Sequence, residues 1–284
     1  MEIISRRQRM FSISRKLRRE AKSVGFVPTM GSLHAGHLKL VEEARQRCDI
    51  VIVSIFVNPT QFDDSADLER YPRDLAADAA MLADFDVDYI FAPEPHEIYG
   101  DGFSTSVEVR GLTETLEGAS RPGHFRGVAT VVTILFNTLR PDFAFLGQKD
   151  AQQVAVIRRL VADLGFETEI VVVPTVRESS GLAMSSRNDL LSLEQRDKAS
   201  IIITALREGK LAFKQGERNT ANLARIVRKR LESEALSGVD YVAVVDRNTM
   251  RAVEKVTEQD VLLCAAVSFG NIRLIDNVIL HEKQ

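Results

Sequence analysis

Two histidines three residues apart, His34 and His37, are the residues whose types and spacing most directly indicate chemistry in this chain. On a helix, residues at this spacing lie on the same face, so both imidazoles would point the same way. The start of a helix also presents backbone N–H groups and a partial positive charge, which together favour a phosphate. Two imidazole donors at such a place predict a site for a nucleoside triphosphate, and Gly36 between them leaves room near the backbone.

Two other uses of this histidine pair remain open from the sequence. The pair could bind zinc, or the rings could simply pack at the end of a helix. A zinc site needs a third protein ligand, and no cysteine or acidic residue lies nearby at a zinc-like spacing. The segment also lacks the glutamate that follows the first histidine in the HExxH helix of zinc proteases.

The residues before the histidines predict the elements that must position them. Ser23–Val27 is largely apolar and predicts a buried strand, which Pro28 is expected to end. Gly31 permits a tight turn, and Ser32 is of a residue type that caps helices. We therefore expect a strand, a glycine turn and a helix capped by Ser32.

Asn58 and Gln61 lie in the polar run NPTQF, directly after the apolar segment IVIVSIFV. Their carboxamides both donate and accept hydrogen bonds, which suits a substrate that carries hydroxyl and carboxylate groups. Asn-Pro also occurs in ordinary turns, so a purely structural turn is the alternative. Their position after a predicted strand favours a substrate-binding role.

The run GQKD, Gly147–Asp150, places a second glycine turn between a predicted strand and a predicted helix. Lys149 would reach a phosphate as a cation, and Asp150 would either cap the helix or hold a ribose hydroxyl. Gln153 follows in the first turn of that helix, close enough to share the same pocket. The alternative is a solvated surface lysine.

Two hydroxyl residues followed by an arginine form the run MSSR, Met184–Arg187, in a polar loop after Gly181. Such a loop can bind a polyphosphate, because a guanidinium group offers paired donors to phosphate oxygens. An irregular connecting loop is the alternative. In the run RPGHFRG, Arg126 either enters the same cleft or supports the start of the following helix, and His124 is equally open.

Composition limits the classes of function that the chain can have. Its 284 residues are 45% hydrophobic and 27% charged, as in an ordinary globular protein of one large or two smaller domains. The formal net charge of −3 gives no bulk attraction to nucleic acid or anionic membranes, so we expect neither as a partner. No apolar run reaches the length of a membrane span. Cys48 and Cys264 lie among apolar residues and are expected to be buried free thiols, which fits a reducing, cytoplasmic setting.

Strands and helices are predicted to alternate over the first part of the chain, up to about Pro174. Strands such as IVIVSIFV are apolar on both faces, as in a parallel sheet covered by helices. The alternation predicts a doubly wound α/β fold, in which ligands bind beyond the carboxyl ends of the strands. The predicted strands are Ser23–Val27, Ile50–Val57, Val87–Ala92, Phe143–Leu146 and Glu169–Val173, and the predicted helices are Leu38–Cys48, Arg73–Asp84, Gly127–Leu139 and Ala151–Leu164, after a surface helix within Arg6–Arg19.

A second, smaller domain is predicted to begin near Arg177. Helical patterns come first there and strand-like runs follow, an order that suggests a small α+β domain. The predicted helices are Leu193–Lys214 and Thr220–Glu234, and the predicted strands are Tyr241–Val245, Val261–Val267 and Ile272–Leu280. We therefore divide the chain into residues 1–176 and 177–284.

Taken in sequence order, these motifs resemble those of the pantothenate synthetase (pantoate–β-alanine ligase) family. The runs FVPTMGSLHAGH, SIFVNPTQF, EGASRPGHFRGVATVV and GLAMSSRN, with RLIDN near the end, cover essentially the whole chain. The first and fourth are similar to the HIGH and KMSKS signatures of class I aminoacyl-tRNA synthetases, which share the nucleotidyltransferase superfamily. The resemblance implies a Rossmann-like N-terminal domain, a smaller C-terminal lid domain and a homodimer.

The resemblance also implies an activity, the ligation of pantoate and β-alanine to pantothenate with ATP as substrate. The implied intermediate is pantoyl adenylate, the implied products include AMP and pyrophosphate, and Mg²⁺ is required through ligands that the sequence does not identify. His37 is implied to be the proton donor; from their chemistry, we expect His34 to donate to phosphate oxygens and Lys149 to add positive charge. Gln61 is implied to bind pantoate and β-alanine, and Gln153 to bind pantoate. The implied ATP-binding residues are Met30, Gly31, Ser32, Leu33, His34, Ala35, Gly36, His37, Gly147, Gln148, Lys149, Asp150, Val176, Met184, Ser185, Ser186 and Arg187.

Gln148 departs from the usual pattern of the family, which has Glu in a GEKD motif. Glutamine keeps the size and the hydrogen-bonding capacity but removes a negative charge. Any electrostatic role of this position, such as organising Lys149 or a metal, is therefore open. The nearest alternative function is another adenylate-forming or nucleotidyltransferase enzyme of the superfamily. A non-catalytic nucleotide-sensing module is the alternative from a different class, although the histidines, Lys149 and the MSSR run are all present.

Overall fold

The computed structural model describes residues 1–62, 65–257 and 260–281. Among them, six segments of the first part of the chain pair into one sheet in which every neighbouring pair is parallel. These strands are β1 Glu2–Ile4, β2 Val24–Thr29, β3 Ile50–Ile55, β4 Tyr89–Phe91, β5 Phe143–Gly147 and β6 Glu169–Val173. The strand order is β1-β4-β3-β2-β5-β6.

After β2, the chain reaches a point at which the direction of winding reverses. From β2 the chain adds β3 and β4 on one side, and it then returns to add β5 and β6 on the other side of β2. Open α/β sheets bind their ligands at such a reversal, in the crevice beyond the carboxyl ends of the two strands. The segments that follow β2 and β5 carry the histidine pair and the GQKD run. The topology therefore favours a ligand-binding site at the carboxyl ends of these two strands.

Helices connect these strands and bury their apolar residues. Met10 and Val41 are fully buried on the first two helices, and the second of them packs against β2, β3 and β5. The helices of this part of the chain are α1 Arg7–Arg19, α2 Ala35–Arg47, α3 Ser65–Arg70, α4 Leu75–Leu82, α5 Pro95–Ile98, α6 Glu117–Ser120, α7 His124–Leu139 and α8 Ala151–Leu164. The prediction of a doubly wound α/β sheet is therefore confirmed.

Two strand predictions need correction. β2 continues through Pro28 to Thr29, whereas the sequence predicts that Pro28 ends the strand. The pairs of β2 with β5 involve only Gly25 and Phe26, so the missing N–H of Pro28 falls beyond that ladder and breaks no bond in it. β1 is absent from the predicted elements, because three residues are too few to show a hydrophobic period.

The rest of the chain forms a smaller antiparallel sheet with helices before it, which confirms the predicted α+β order. Its strands β7 Ser237–Asp246, β8 Val261–Phe269 and β9 Ile272–Leu280 pair in that order, and an irregularity of register lies between Val239 and Tyr241. The helix predicted over Leu193–Lys214 is in fact two helices that meet at Ser200. The helices of this part are α9 Leu193–Ala199, α10 Ile201–Lys214 and α11 Thr220–Leu231.

By its internal contacts the chain divides into two compact units. The first comprises Met1–Gly147 and Val156–Val173, and the second comprises Gln148–Ala155 and Pro174–Gln284. The second unit thus includes Gln148–Ala155, which precedes the boundary predicted after residue 176. Cys48 and Cys264 are buried free thiols, as predicted. Within the described residues, every helix is too short or too polar to cross a membrane.

Candidate active site

The turn between β2 and α2 is held by hydrogen bonds from inside the first unit. Gly31 has a φ of +82°, a conformation that glycine adopts without strain, and its N–H donates to Thr29 Oγ1 at 3.2 Å. The Ser32 N–H donates to Asp78 Oδ2 at 3.1 Å, and the Leu33 N–H donates to Asp78 Oδ1 at 2.8 Å. The backbone donors expected to face a phosphate at this turn are therefore bonded within the protein.

Asp78 is a buried carboxylate that sequence reasoning missed. It lies on α4 with only 4% of its surface exposed, and it bonds residues 45 and 46 positions earlier in the chain. A Cβ atom built on Gly31 would lie 2.8 Å from Asp78 Oδ2, so only glycine fits beside the carboxylate at this point. The sequence around it, LAADAAML, offers no local signal for this contact.

His34, and not Ser32, caps helix α2, so the predicted cap is wrong. Ser32 lies in the turn with a φ of +52°, two residues before the extended His34. His34 Nδ1 accepts the N–H of Gly36 at 3.1 Å, and the N–H of His34 donates to His37 Nδ1 at 3.3 Å. This reciprocal pattern is a capping box made by two imidazoles.

The two rings of the capping box stack on each other. Their centroids lie 4.1 Å apart at an interplanar angle of 27°, and both residues are partly buried. Because each Nδ1 accepts a backbone hydrogen bond, this arrangement assigns the ring proton of both His34 and His37 to Nε2. The two rings lie side by side as expected, but His34 precedes α2 instead of lying on it, so the capping box and not a shared helix face brings them together.

Asn58 is tied to its surroundings through both ends of its carboxamide. Its Oδ1 accepts the Tyr99 hydroxyl at 2.6 Å and the Thr60 hydroxyl at 2.9 Å. Its Nδ2 donates to Gln61 Oε1 at 3.1 Å and to the carbonyl of Gly127 at 3.2 Å. With 1% of its surface exposed, Asn58 is placed to fix the side chain of Gln61.

Gln61 connects this loop to the histidine turn, the segment 30–34 between β2 and α2. Its Nε2 contacts the sulfur of Met30, the first residue of the predicted ATP-binding segment. The main-chain carbonyl oxygen of Gln61 lies 2.8 Å from His124 Nδ1 and accepts a hydrogen bond from Arg121 Nη2 at 3.3 Å. The structure thus brings together Met30 and Gln61 from two separate motifs. Buried His124 contacts the main chain of Gln61.

The start of α7 explains the RPGHFRG run. A Cβ atom built on Gly127 would lie 2.3 Å from the carbonyl oxygen of Thr60, so the helix can approach the Asn58–Phe62 loop only through a glycine. Arg126 is exposed in the first turn of α7, while His124 is buried. Within the first unit, the motif therefore supports the loop through His124 and Gly127.

Burial raises the pKa of the Tyr99 phenol, although hydrogen bonds with Thr60 and Asn58 act in the opposite direction. The hydroxyl therefore stays protonated at neutral pH and can donate to Asn58. Sequence reasoning also missed this residue, which lies 41 positions after Asn58 at the end of the short helix α5.

In the second unit, the GQKD run continues from β5 as a 3₁₀ turn, Gln148–Asp150. Lys149 Nζ donates to Asp150 Oδ1 at 3.2 Å, and its side chain is 20% exposed. Gln148 Nε2 donates to Asn277 Oδ1 at 3.0 Å. Gln153 lies partly buried near the start of α8. A Cβ atom built on Gly147, the last residue of β5, would meet no atom of the described residues within 4 Å.

The MSSR run forms the start of another 3₁₀ turn, Ser186–Leu190, in the same unit. Ser185 caps it, because its Oγ accepts the N–H of Arg187 at 3.3 Å. The N–H of Met184 donates to the carbonyl of Val176 at 3.0 Å, which joins two predicted ATP-binding segments. The binding roles of all these residues stay predictions.

Glu178 supports this turn through three side-chain hydrogen bonds, one of them from Arg196 Nε to its Oε2 at 3.2 Å. Its Oε1 accepts Asn188 Nδ2 at 2.7 Å and Arg196 Nη2 at 3.0 Å. Burial alone would raise the pKa of the Glu178 carboxyl, but the hydrogen bonds from Arg196 and Asn188 outweigh it and hold the pKa below its ordinary value. The carboxyl is therefore ionised at neutral pH and keeps both donors in place.

Comparison with known proteins identifies the family. The model of the pantoate–β-alanine ligase family matches residues 2–279. Pantothenate synthetase from Pelotomaculum thermopropionicum is 50% identical over 268 residues, which cover 94% of this chain and 95% of the relative. Pantothenate synthetase from Heliobacterium modesticaldum is 48% identical over 281 residues, with 99% and 100% covered.

Solved structures agree with this assignment over the full length. The crystal structure of pantothenate synthetase from Thermus thermophilus superposes with a TM-score of 0.92 at 45% identity, covering 99% of this chain and 100% of that one. The structure of pantoate–β-alanine ligase from Francisella tularensis, complexed with β-γ ATP and β-alanine, superposes with a TM-score of 0.81 at 36% identity, covering 100% and 99%. The chain belongs to the pantoate–β-alanine ligase family.

Proposed function

We propose that this chain condenses pantoate with β-alanine to pantothenate through a pantoyl-adenylate intermediate, consuming ATP and releasing AMP and pyrophosphate. The observation that carries the proposal is the stacked imidazole pair at the start of α2, with the ring proton of each on Nε2. Family membership over nearly the whole chain supplies the substrates, since a relative has been crystallised with β-γ ATP and β-alanine.

The first step joins two anions, so the protein must lower their repulsion. The pantoate carboxylate attacks the α-phosphorus of ATP, an oxygen–phosphorus bond forms, and pyrophosphate leaves. We assign His34 and His37 to donate from Nε2 to phosphate oxygens as charge moves toward the leaving group. Lys149 and Arg187 contribute positive charge to the same reaction. Correct positioning of the two substrates can contribute up to about 7–11 kcal/mol.

The second step forms the amide bond. The β-alanine amine attacks the acyl carbon of the adenylate, the bond from carbon to the bridging oxygen breaks, and AMP leaves. Gln61 is assigned to pantoate and to β-alanine, and Gln153 to pantoate. The fixed position of the Gln61 side chain beside Met30 supports this assignment, because a carboxamide held by Asn58 cannot rotate freely.

Mg²⁺ fits this reaction without a protein cage. Within the described residues, no three His, Cys, Asp or Glu side chains converge as metal ligands. In phosphoryl-transfer sites, Mg²⁺ is commonly bound by substrate phosphates, waters and one or two carboxylates. Asp150, the acidic residue of the GQKD run, would be one such carboxylate. When bound, the ion would neutralise phosphate charge. The Mg²⁺ requirement, a homodimer and a cytoplasmic location stay predictions.

The direct test is an assay of AMP and pyrophosphate with each substrate omitted in turn. We expect pyrophosphate only when ATP and pantoate are both present, and pantothenate only when β-alanine is added. Pyrophosphate release with a different acid or alcohol would favour another nucleotidyltransferase of the superfamily. ATP binding without any turnover would favour a nucleotide-sensing module and would end the proposal.

The His37→Ala variant tests the assigned proton donor. Loss of a positioned donor to a developing charge should slow pantoyl-adenylate formation by about 100-fold in single-turnover experiments. The exposed His96 provides the matched control, since His96→Ala removes an imidazole from the surface. An unchanged single-turnover rate in His37→Ala would contradict the role of this residue.

The Lys149→Ala variant tests the assigned phosphate cation. We expect kcat/KM for ATP to fall by more than kcat/KM for β-alanine, because the lost charge acts on the phosphates. Lys229→Ala, which removes an exposed lysine, should leave both values unchanged. A defect confined to β-alanine would assign Lys149 to the other substrate.

A further inference from the structure

The RLIDN run near the end of the chain places two polar side chains in the interior of the second unit. Asp276 and Asn277 are consecutive residues of β9, with 4% and 5% of their surfaces exposed. Consecutive residues of a strand point to opposite faces, so the two side chains can engage different segments. Buried polar groups at such positions need partners, and both have them.

Asn277 binds two consecutive main-chain carbonyl groups, those of Gln148 and Lys149. Its Nδ2 donates to the carbonyl oxygen of Gln148 at 3.1 Å and to that of Lys149 at 3.0 Å. Its Oδ1 accepts Gln148 Nε2 at 3.0 Å. The whole carboxamide of Asn277 is therefore used to fix the backbone from which the Lys149 side chain extends.

Asp276 binds the segment that leads into the MSSR run. Both its oxygens accept from Arg177, with Nη1 to Oδ2 at 2.6 Å and Nη2 to Oδ1 at 3.1 Å. The same Nη1 donates to the carbonyl of Gly181 at 3.1 Å, and Arg177 forms an isolated antiparallel bridge with Ala183. Arg177 is 19% and Asp276 is 3% exposed at the side chain, so this bidentate pair is largely shielded from water.

The two contacts are also coupled to each other. Asp276 Oδ1 accepts the backbone N–H of Asn277 at 2.8 Å, so the carboxylate that holds Arg177 also fixes the neighbouring peptide. Displacement of either side chain should therefore disturb both segments. These segments carry Lys149 on one side and Met184–Arg187 on the other.

We propose that Asp276 and Asn277 are positioning residues that set the spacing between Lys149 and the Met184–Arg187 segment. This inference rests on the proposed function, in which both segments act on ATP. Neither side chain is assigned a contact with substrate. Their contribution is to hold two cation-bearing segments in place before ATP arrives, which lowers the cost of ordering them on binding.

Gln148 supplies the third hydrogen bond of the Asn277 carboxamide. A glutamate at this position would place a carboxylate oxygen where Gln148 Nε2 now donates to Asn277 Oδ1. Asn277 cannot turn its amide around to compensate, because its Nδ2 already donates to two carbonyl oxygens. The amide of Gln148 therefore matches the orientation of Asn277 in this chain.

The test compares isosteric variants in the full-length protein. Asn277→Asp replaces the donor of two hydrogen bonds by an oxygen, and we expect kcat/KM for ATP to fall about 10-fold or more. Gln148→Glu removes one of the three bonds and should lower the same value by less. KM for β-alanine should change less than about twofold in both variants. Asp276→Asn removes the charge of the carboxylate that pairs with Arg177, and it should likewise lower kcat/KM for ATP.

The matched control is Arg273→Gln on the same strand. Arg273 pairs with Asp240 at the surface, at 2.7 Å, and its loss should leave all kinetic values unchanged. If Asn277→Asp fails to fold, Asn277→Ser provides the measurement, because it removes the amide without burying a charge. ATP affinity is measured separately by calorimetry, and the melting temperature is recorded for each variant.

The outcomes separate this inference from the proposed function. A wild-type protein that makes no pantothenate would overturn the proposed function, whereas calorimetry would still report on ATP binding. A folded Asn277 variant with wild-type kcat/KM and affinity for ATP would overturn the positioning role. Equal losses for ATP and β-alanine, in proportion to a lower melting temperature, would also overturn it, because they indicate a purely structural contribution.

Discussion

Replacement of Asp78 by alanine should destabilise the protein, because it removes the acceptor of two backbone N–H groups in the turn between β2 and α2. The carboxylate accepts two backbone N–H groups, from Ser32 at 3.1 Å and from Leu33 at 2.8 Å. It is almost fully buried, so solvent water does not readily replace it as the acceptor. Loss of the carboxylate would therefore leave two donors of a tight turn without their acceptor.

The expected magnitude follows from these two bonds. A buried donor that loses its partner costs about 1–3 kcal/mol, with charged acceptors toward the upper end. For Asp78→Ala we therefore expect a fall of about 3 kcal/mol in the free energy of unfolding. Asp78→Asn keeps one acceptor oxygen and presents an amide to the other N–H, so we expect about half of that loss.

The assay is urea-induced unfolding, with Asp74→Ala as the control. Asp74 precedes the same helix and also accepts a backbone N–H, that of Ala77 at 2.9 Å, but it does so at the surface as an N-cap. Loss of an N-cap typically costs about 1 kcal/mol. The Asp78 variants should in addition lower kcat, because His34 and His37 begin directly after the turn, whereas Asp74→Ala should keep the wild-type kcat.

Two results would refute this reasoning. If Asp78→Ala costs no more stability than Asp74→Ala, the carboxylate does not hold the turn. If Asp78→Ala is much less stable but its kcat per folded molecule equals that of the wild type, the turn does not set the position of the imidazoles.

Three further predictions concern other buried groups. Tyr99→Phe removes the hydroxyl bonded to Asn58 Oδ1 at 2.6 Å, so it should cost about 1 kcal/mol in urea unfolding and lower kcat; unchanged stability would contradict this. The pKa of Glu178 is held below its ordinary 4.5, so its contribution is present above pH 4.5 and is lost as pH falls through the lowered pKa. The melting temperature of the wild type should therefore fall more steeply below pH 4.5 than that of Glu178→Gln, and parallel curves would argue against the bond to Arg196. Burial raises the pKa of the Cys48 thiol to about 11, so at about pH 8 iodoacetamide should label Cys48 far more slowly in the folded than in the unfolded protein, as followed by mass spectrometry.

The parallel sheet could be predicted because its strands are apolar on both faces. The run IVIVSIFV can only be a covered strand or a buried helix segment, and the helical patterns on either side decide between them. β6 and β9 begin and end where predicted, at Glu169–Val173 and Ile272–Leu280. A three-residue edge strand such as β1 has no such pattern, and pairing with β4 decides it.

Helix ends were less predictable, because local side-chain contacts decide them. A serine before a helix is the common cap, yet here an imidazole accepts the N–H of Gly36 and Ser32 stays in the turn. The break at Ser200 between α9 and α10 also follows no proline or glycine. Propensity alone cannot distinguish these cases from a continuous helix.

The motifs of the candidate site could be found from the sequence, but their supports could not. His34, Lys149 and the MSSR run stand out because their residue types suit phosphate chemistry. Asp78 and Asn277 bond positions 46 and 129 residues away, respectively, and only the fold brings those positions together. A buried carboxylate in an alanine-rich helix has no periodicity that would reveal its partner.

The hydrogen bonds that hold the histidine turn change which groups we expect to bind phosphate. The N–H of Gly31 donates to the Thr29 hydroxyl, and those of Ser32 and Leu33 donate to Asp78, so a nucleotide at this turn would have to compete with these acceptors. Under the proposed function, we therefore expect the donors for phosphate to come mainly from side chains. Imidazoles that accept a backbone hydrogen bond at Nδ1 can donate from Nε2 without adding a positive charge, whereas Lys149 and Arg187 are cationic residue types. We therefore expect substitutions of the donor side chains, such as His37 or Lys149, to lower ATP turnover more than substitutions in the turn that keep its hydrogen bonds to Asp78.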